Sequence, residues 1–313
     1  MTSFLPEGKR IDTVENSSAV SSYESLHAAM ERGDILEARA VLCDHEHNLR
    51  VELPCMRGVI PREEGALGIR EGSVRDIAVI SRVGRAVCFV VKEFVRRDEG
   101  MIAVLSRAEA QQKCADAYLS TLRVGDVIPA RVTHLEPFGA FCDIGCGLVA
   151  LMPIDAISVS RIEHPEERFT VGMDIHAVVR SITDNRVTLS HKELLGTWEE
   201  NAVRFSVGET VTGVIRSIEN YGAFVELSPN LAGLAELRDN LRVGDTAAVY
   251  IKSIIPQKMK IKLIIIDHFD ESHIPSPPDY FIKGGHIERF VYSPPECGRV
   301  IETYFTEESG MRN

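Results

Sequence analysis

The sequence predicts an all-β chain: three tandem five-stranded barrels, the first degenerate, joined by short helical linkers and followed by an irregular C-terminal extension. Three observations carry this prediction. One phrase occurs twice, its strands alternate apolar and polar residues with period two, and glycines punctuate both copies at matching places. A chain of 313 residues favours two to four modules. With 44% apolar and 26% charged residues, most of it can bury a core.

Residues 1–32 form an N-terminal segment in which Tyr23–Arg32 reads as a short amphipathic helix. Residues 33–112 form the degenerate copy, with GDILEARAVLCDHEHNLRVELPCMRGVIPREE from Gly33 and RAVCFVVKEFVRRDEGMIAVLS from Arg85. This copy keeps the strand pattern but lacks an aromatic-Gly-Ala-Phe turn, and His45, His47 and Leu49 stand near its place. Glu109–Leu119 has helical composition, so residues 113–121 are assigned as a linker.

The two strong copies span 122–192 and 205–263. They open with LRVGDVIPARVTHLEPFGAFCDIGCGLVALMP and FSVGETVTGVIRSIENYGAFVELSPNLAGLAEL, and each returns with a second glycine turn at Val171 and Val243. Five short antiparallel strands bury their inner face best by closing on themselves, which also removes unpaired edges. Gly139 and Gly222 fall where the first strand turns into the second, a place for a sharp bend with no Cβ. The insert Ile154–Phe169, with SRIEHPEERF, is expected to cap one end of its barrel. The linker 193–204, ELLGTWEENAVR, is helical in composition, and Trp198 is expected to lock the two barrels together. Residues 264–313 carry SPP at Ser276 and Ser293 and five aromatics from Tyr280 to Tyr304. The extension is therefore expected to pack back on the last barrel or to form a docking surface.

The net charge of −11 opposes polyanion binding in general, but it is unevenly placed. Residues 1–48 and 264–313 each carry 4 basic and 9 acidic residues, whereas 205–263 carry 7 and 6, and 122–192 carry 7 and 9. The central modules are close to neutral, which leaves room for a local basic and aromatic face. Arg131 and Arg216, just inside the first strand of each strong copy, are expected beside that face.

The phrase HKELLGTWEENAVRFSVGETVTGVIRSIENYGAFVEL closely resembles consecutive repeats of the bacterial ribosomal protein S1 family, whose S1 RNA-binding domains are S1/OB-fold barrels. The likeness is strong over 122–263 and moderate over 33–112. The resemblance implies single-stranded RNA binding, with mRNA and the 30S ribosomal subunit as partners and translation as the setting. It places the stacking aromatics on Phe138 and Phe141 in one repeat and on Tyr221 and Phe224 in the next, and the basic residue opening the fifth strand on Arg186 and Lys260. Where such domains often carry a third-strand histidine, this chain has Pro153 and Glu236, and the acidic residue near the last turn occurs only as Asp184. These departures imply a modest, salt-sensitive affinity. Physically, rings exposed on a barrel call for a flat partner, and unpaired bases supply one at about 1 to 3 kcal/mol per stack.

Other classes are set aside. No P-loop, H-E-x-x-H, G-x-S-x-G or aspartate cluster is present, so no catalytic residues, cofactor or small-molecule ligand are expected. Cys142 and Cys146 lack a second ligand pair for zinc, and no metal is expected. Seven irregularly spaced cysteines read as buried or half-buried thiols, and no apolar run of about 18 residues suits a membrane span, so the chain is expected in the cytoplasm. Asp126, Glu209 and Asp245 follow turn glycines, where acidic side chains brace the backbone. Two other readings stand beside RNA binding: an adaptor whose barrels dock a ribosomal or RNA-degradation partner, and an accessory subunit of an RNA-processing enzyme.

Overall fold

The computed structural model describes residues 4–98, 100–183, 186–270 and 277–306. Asp184 and Ser276, singled out above, lie outside the described residues. The chain divides into two compact units, Met1–Leu122 with Asp143–Val149, and Arg123–Cys142 with Ala150–Asn313.

Fifteen of the strands form three closed barrels. The first comprises β1 (Leu36–Cys43), β2 (Leu49–Glu52), β3 (Arg57–Ile60), β4 (Ala86–Arg97) and β5 (Gly100–Ser106), in the order β1-β2-β3-β5-β4. The second uses β6 (Val127–Glu136), β7 (Gly139–Asp143), β8 (Val149–Pro153), β9 (Asp174–Thr183) and β10 (Arg186–Ser190). The third uses β11 (Thr210–Glu219), β12 (Gly222–Ser228), β13 (Leu231–Ala235), β14 (Thr246–Ile255) and β15 (Lys260–Phe269), in the same order as the first. Alternation explains the burial: along β15, Ile261, Leu263 and Ile265 point inward while Lys260, Lys262 and Ile264 point out.

In the first unit, α1 (Val14–Ala19) and α2 (Tyr23–Arg32) precede the first barrel. Ser22 caps α2 by accepting from Ser25 N, and left-handed Gly33 ends it. A short α3 (Ile77–Ile80) lies in the connection between β3 and β4, which had no element assigned from sequence. The helix predicted over Glu109–Leu119 is α4 (Arg107–Ala117), set two residues earlier because the Ser106 hydroxyl accepts from Glu109 N at 2.9 Å. Buried Arg107 clasps Glu7 with two hydrogen bonds, 2.7 and 3.0 Å. Cys88, Cys114, Cys142 and Cys146 are buried, and Cys43, Cys55 and Cys297 are half-buried.

In the second unit, α5 (Trp198–Ala202) starts at Thr197, whose side chain accepts from Glu200 N. Trp198 is 3% exposed and joins one apolar cluster with Val178 of the second barrel, Ile215 and Val249 of the third, and Phe290, Tyr292 and Phe305 of the extension. The extension forms a two-stranded sheet, β16 (Arg289–Val291) with β17 (Glu302–Tyr304). It reaches further than the last barrel: the Tyr280 hydroxyl accepts from His176 N and hydrogen-bonds His191, both at 3.0 Å, and Tyr292 Oη donates to the Asn230 carbonyl at 2.6 Å. Burial pulls the pKa of His191 down to about 4, so this packed ring is neutral near pH 7.

Candidate nucleic-acid interface

The rings sit where the first two strands of a barrel meet. A Cβ on Gly139 would fall 2.4 Å from the Met152 carbonyl oxygen, and one on Gly222 2.6 Å from that of Ala235. Only glycine lets the hairpin lie this close to the next strand, and the tight bend leaves the preceding ring outside. Phe138 is accordingly 56% exposed and Tyr221 65% exposed. Phe141 and Phe224, three residues on, are half-buried and meet these rings edge to face at centroid distances of 6.0 and 6.2 Å. Each strong barrel thus presents a pair of perpendicular rings, one proud of the surface and one set into it.

Strand register extends the third-barrel site. Ser217, Phe224, Leu234 and Lys262 pair successively across β11, β12, β13 and β15, so their side chains share the outer face. Lys260 and Arg186 each open the last strand of their barrel and are exposed. Neither has an ion pair among the described residues.

The two inner arginines are placed differently. Arg131 forms a two-point pair with Asp174 of β9 at 2.8 and 3.1 Å, so its charge is matched at the surface. Arg216, expected beside the rings, is turned away from them into an ion-pair cluster, its side chain 8% exposed. It binds both oxygens of Glu226 at 2.9 and 3.2 Å and also pairs with Glu167, while Arg168 pairs with the same Glu226. This chain of alternating charges ties the insert of the second barrel to β11 and β12 of the third. Two of the three acidic residues after turn glycines brace the backbone, Asp126 accepting from Arg123 N and Glu209 from Ser206 N, each at 2.8 Å, while the Asp245 carboxylate pairs instead with the His268 ring at 2.8 Å.

Two residues were missed from sequence. His134 on β6 stacks on Phe141 at 6.2 Å, adding a third ring to the second barrel, where the third barrel has Ser217. Lys262 lies in the ring row of the third barrel, where the second has Thr188, each opposite a leucine of the neighbouring strand. Alternation in KIKL marks Lys262 as outward, but with Thr188 at the matching place the two copies share no signal there.

The first barrel keeps the register with other side chains. Leu42, Arg50 and Val59 pair as Ser217, Phe224 and Leu234 do, and a bulge precedes the row in β1 as in β11. Arg50 therefore occupies the place of Phe224. Among the described residues, no group of three or more His, Cys, Asp or Glu side chains is arranged to hold a metal ion, and no helix is long and apolar enough to cross a membrane.

Closed five-stranded barrels in tandem, with rings at the same hairpin, define the class, and residues 121–192 match the S1 RNA binding domain. The other two barrels share the strand order of this matched stretch. It is 30% identical over 259 residues to small ribosomal subunit protein bS1 of Staphylococcus aureus strain COL, covering 80% of this chain and 63% of that one. The same protein of Staphylococcus haemolyticus is 30% identical over 260 residues, covering 80% and 62%. The chain thus spans about 63% of the length of these curated relatives. A solved multidomain protein with nucleic acid binding domains from Streptococcus pneumoniae TIGR4 aligns at 13% identity over 75% of this chain and 74% of that one, with a TM-score of 0.25.

Proposed function

We propose that this chain binds single-stranded RNA in translation, through the ring faces of its second and third barrels, as the bS1 proteins' names associate them with the small ribosomal subunit. The observation that carries the reading is the pair of outward rings, Phe138 and Tyr221, each backed by a perpendicular ring on a neutral module of an acidic chain. Bases stack on such rings whatever their identity, so the mode is sequence-tolerant. Arg186 and Lys260 supply charge for the backbone. Two modules on one strand raise each other's effective concentration, and modest single sites then suffice. On this reading mRNA and the 30S subunit are the partners, the protein works in the cytoplasm, and it acts by binding, with no chemistry of its own.

The test is fluorescence anisotropy of a labelled unstructured RNA with the full chain at low and moderate salt. At about 1 to 3 kcal/mol per stack, Phe138→Ala or Tyr221→Ala weakens binding by roughly 5- to 150-fold, and the double variant by more. Both rings are mostly exposed, so circular dichroism and melting temperature stay near those of the parent. A folded double variant with parental affinity refutes the reading. A parent indifferent to RNA that still co-sediments with ribosomes favours the protein-docking adaptor.

A further inference from the structure

Three of the buried cysteines come together in the first unit. Cys88 on β4, Cys114 on α4 and Cys146 in the Asp143–Val149 loop belong to one small cluster with Val90 and Ala110, each thiol at 1% exposure or less. None of them takes part in the ring faces described above. The ordinary role of such thiols is packing, because burial keeps a thiol protonated and screens it from reagents. This trio departs from that role in its backbone, its hydrogen bonds and its cover.

Cys146 is held in a left-handed conformation, at φ 50°, which is costly for a residue with a side chain. The Asp143 carboxylate fixes the turn by accepting from Gly145 N and Gly147 N at 2.8 and 3.0 Å, and Cys146 N donates to the Leu5 carbonyl at 2.9 Å. The Cys114 thiol hydrogen-bonds to the Cys146 sulfur, and this contact, joined by the Cys88 thiol, holds Cys146 below the ordinary thiol range while it raises Cys114. Burial and Glu7 oppose the lowering, and Arg10 adds to it. Gly145 makes room for the Cys114 sulfur, since a Cβ there would fall 3.1 Å from it. Cys88 also donates to the Cys146 carbonyl at 3.1 Å and so steadies the loop. The cover is thin: Phe4 and Ile35, both half-buried, pack against the trio and also line an open cavity of about 620 Å³. A molecule close to water in size has those two side chains to pass.

We propose that Cys146 and Cys114 form a peroxide-responsive dithiol, with Cys146 as the attacking sulfur and Cys114 as the resolving one. The Cys146 sulfur attacks one oxygen of hydrogen peroxide and the O–O bond breaks, leaving sulfenic acid on Cys146 while the departing hydroxide takes the thiol proton and becomes water. The Cys114 sulfur then attacks the sulfenic sulfur, and its proton leaves with the hydroxyl as a second water. Two thiols and one peroxide become one disulfide and two waters, the sulfurs being oxidised and the peroxide reduced. Cys88 is the positioning residue and stays reduced. The new bond ties α4 to the Asp143–Val149 loop within the first unit, and a dithiol reopens it by exchange.

Cysteine mapping of the full chain tests the proposal. The folded protein is exposed briefly to hydrogen peroxide, unfolded with its remaining thiols alkylated, and cleaved before aspartate, which at Asp143 separates Cys146 from Cys142. Two of the seven thiols disappear, the peptides of Cys114 and Cys146 are found linked by mass spectrometry, and dithiothreitol restores both. In the Cys114→Ser variant no link forms and dimedone labels Cys146 as its sulfenic acid. The Cys146→Ser variant shows neither the link nor a label on Cys114, whereas Cys88→Ser keeps the link. Exposure alone favours the half-buried Cys43, Cys55 and Cys297, so oxidation there while Cys114 and Cys146 stay free overturns the proposal. A link from Cys146 to Cys88 overturns the role given to Cys114. The parent protein carries the decisive measurement, so a variant that fails to fold does not blur the result.

Discussion

Glu226 is the residue on which the second unit's buried charges converge, and its removal is a severe test of the packing described above. Its carboxylate meets Arg168 and Arg216, and all three side chains are 6–8% exposed. Replacing it with alanine leaves Arg216 with Glu167, but leaves Arg168 with the Ser158 hydroxyl at 3.3 Å and no carboxylate. A buried charge stripped of its partner costs about 3 to 5 kcal/mol. For a unit of roughly 180 residues, at about 2 to 4 °C per kcal/mol, the melting temperature falls by about 6 to 20 °C. Differential scanning calorimetry of the full chain reads this directly. The apolar triple variant Arg168→Met/Arg216→Leu/Glu226→Leu restores most of the loss, because the three most deeply buried charges go together and the one left, Glu167, is 28% exposed and reaches water. A Glu226→Ala protein melting within about 2 °C of the parent would refute the reasoning. The triple variant also decides the role of Arg216: folded and unchanged in RNA affinity, it shows that this arginine braces the barrels and does not touch the ligand.

Two further outcomes follow from the geometry. Gly222→Ala forces a Cβ to 2.6 Å from the Ala235 carbonyl, at a backbone φ of +154°, and denaturant titration will show a loss of about 1 to 3 kcal/mol. Glu37 accepts backbone hydrogen bonds from Gly8, Arg10 and Ile11 at 2.9–3.0 Å, yet burial raises its pKa to about 7. Because the folded value lies above the unfolded one, its stabilising effect is complete at acidic pH and is lost as pH rises through about 7. Urea unfolding at pH 5 and pH 8 should differ by up to about 3 kcal/mol from this group. Glu37→Gln, which keeps an acceptor without the charge, reduces the difference. Asp143, also raised to about 7 by burial, sustains the remainder.

The barrels were legible because period-two alternation and the paired glycines are local signals, and the aromatic-Gly-Ala-Phe phrase fixes both the bend and the ring before it. Tyr23–Arg32 was equally readable, since Ser22 and Gly33 mark its ends. What stayed hidden depends on partners distant in sequence. Nothing around Arg216 shows that Glu167, 49 residues away, and Glu226 will enclose it, and Arg131 meets Asp174 across 43 residues. An outward position in one strand becomes a burial site when another module's insert covers it. The extension's aromatic content predicts packing, but only folding shows that Tyr280 finds the second barrel.

The register that the first and third barrels share has a consequence for how such a chain changes over time. Inward residues keep the cylinder closed, while outward ones, alternating with them, are left to meet whatever comes from solvent. One socket thus holds arginine in the first module and phenylalanine in the third, with the bulge before it unmoved. Duplicated modules on such a frame can exchange their outer chemistry one letter at a time without renegotiating the interior, so a single ancestral cylinder can supply several kinds of contact along one chain.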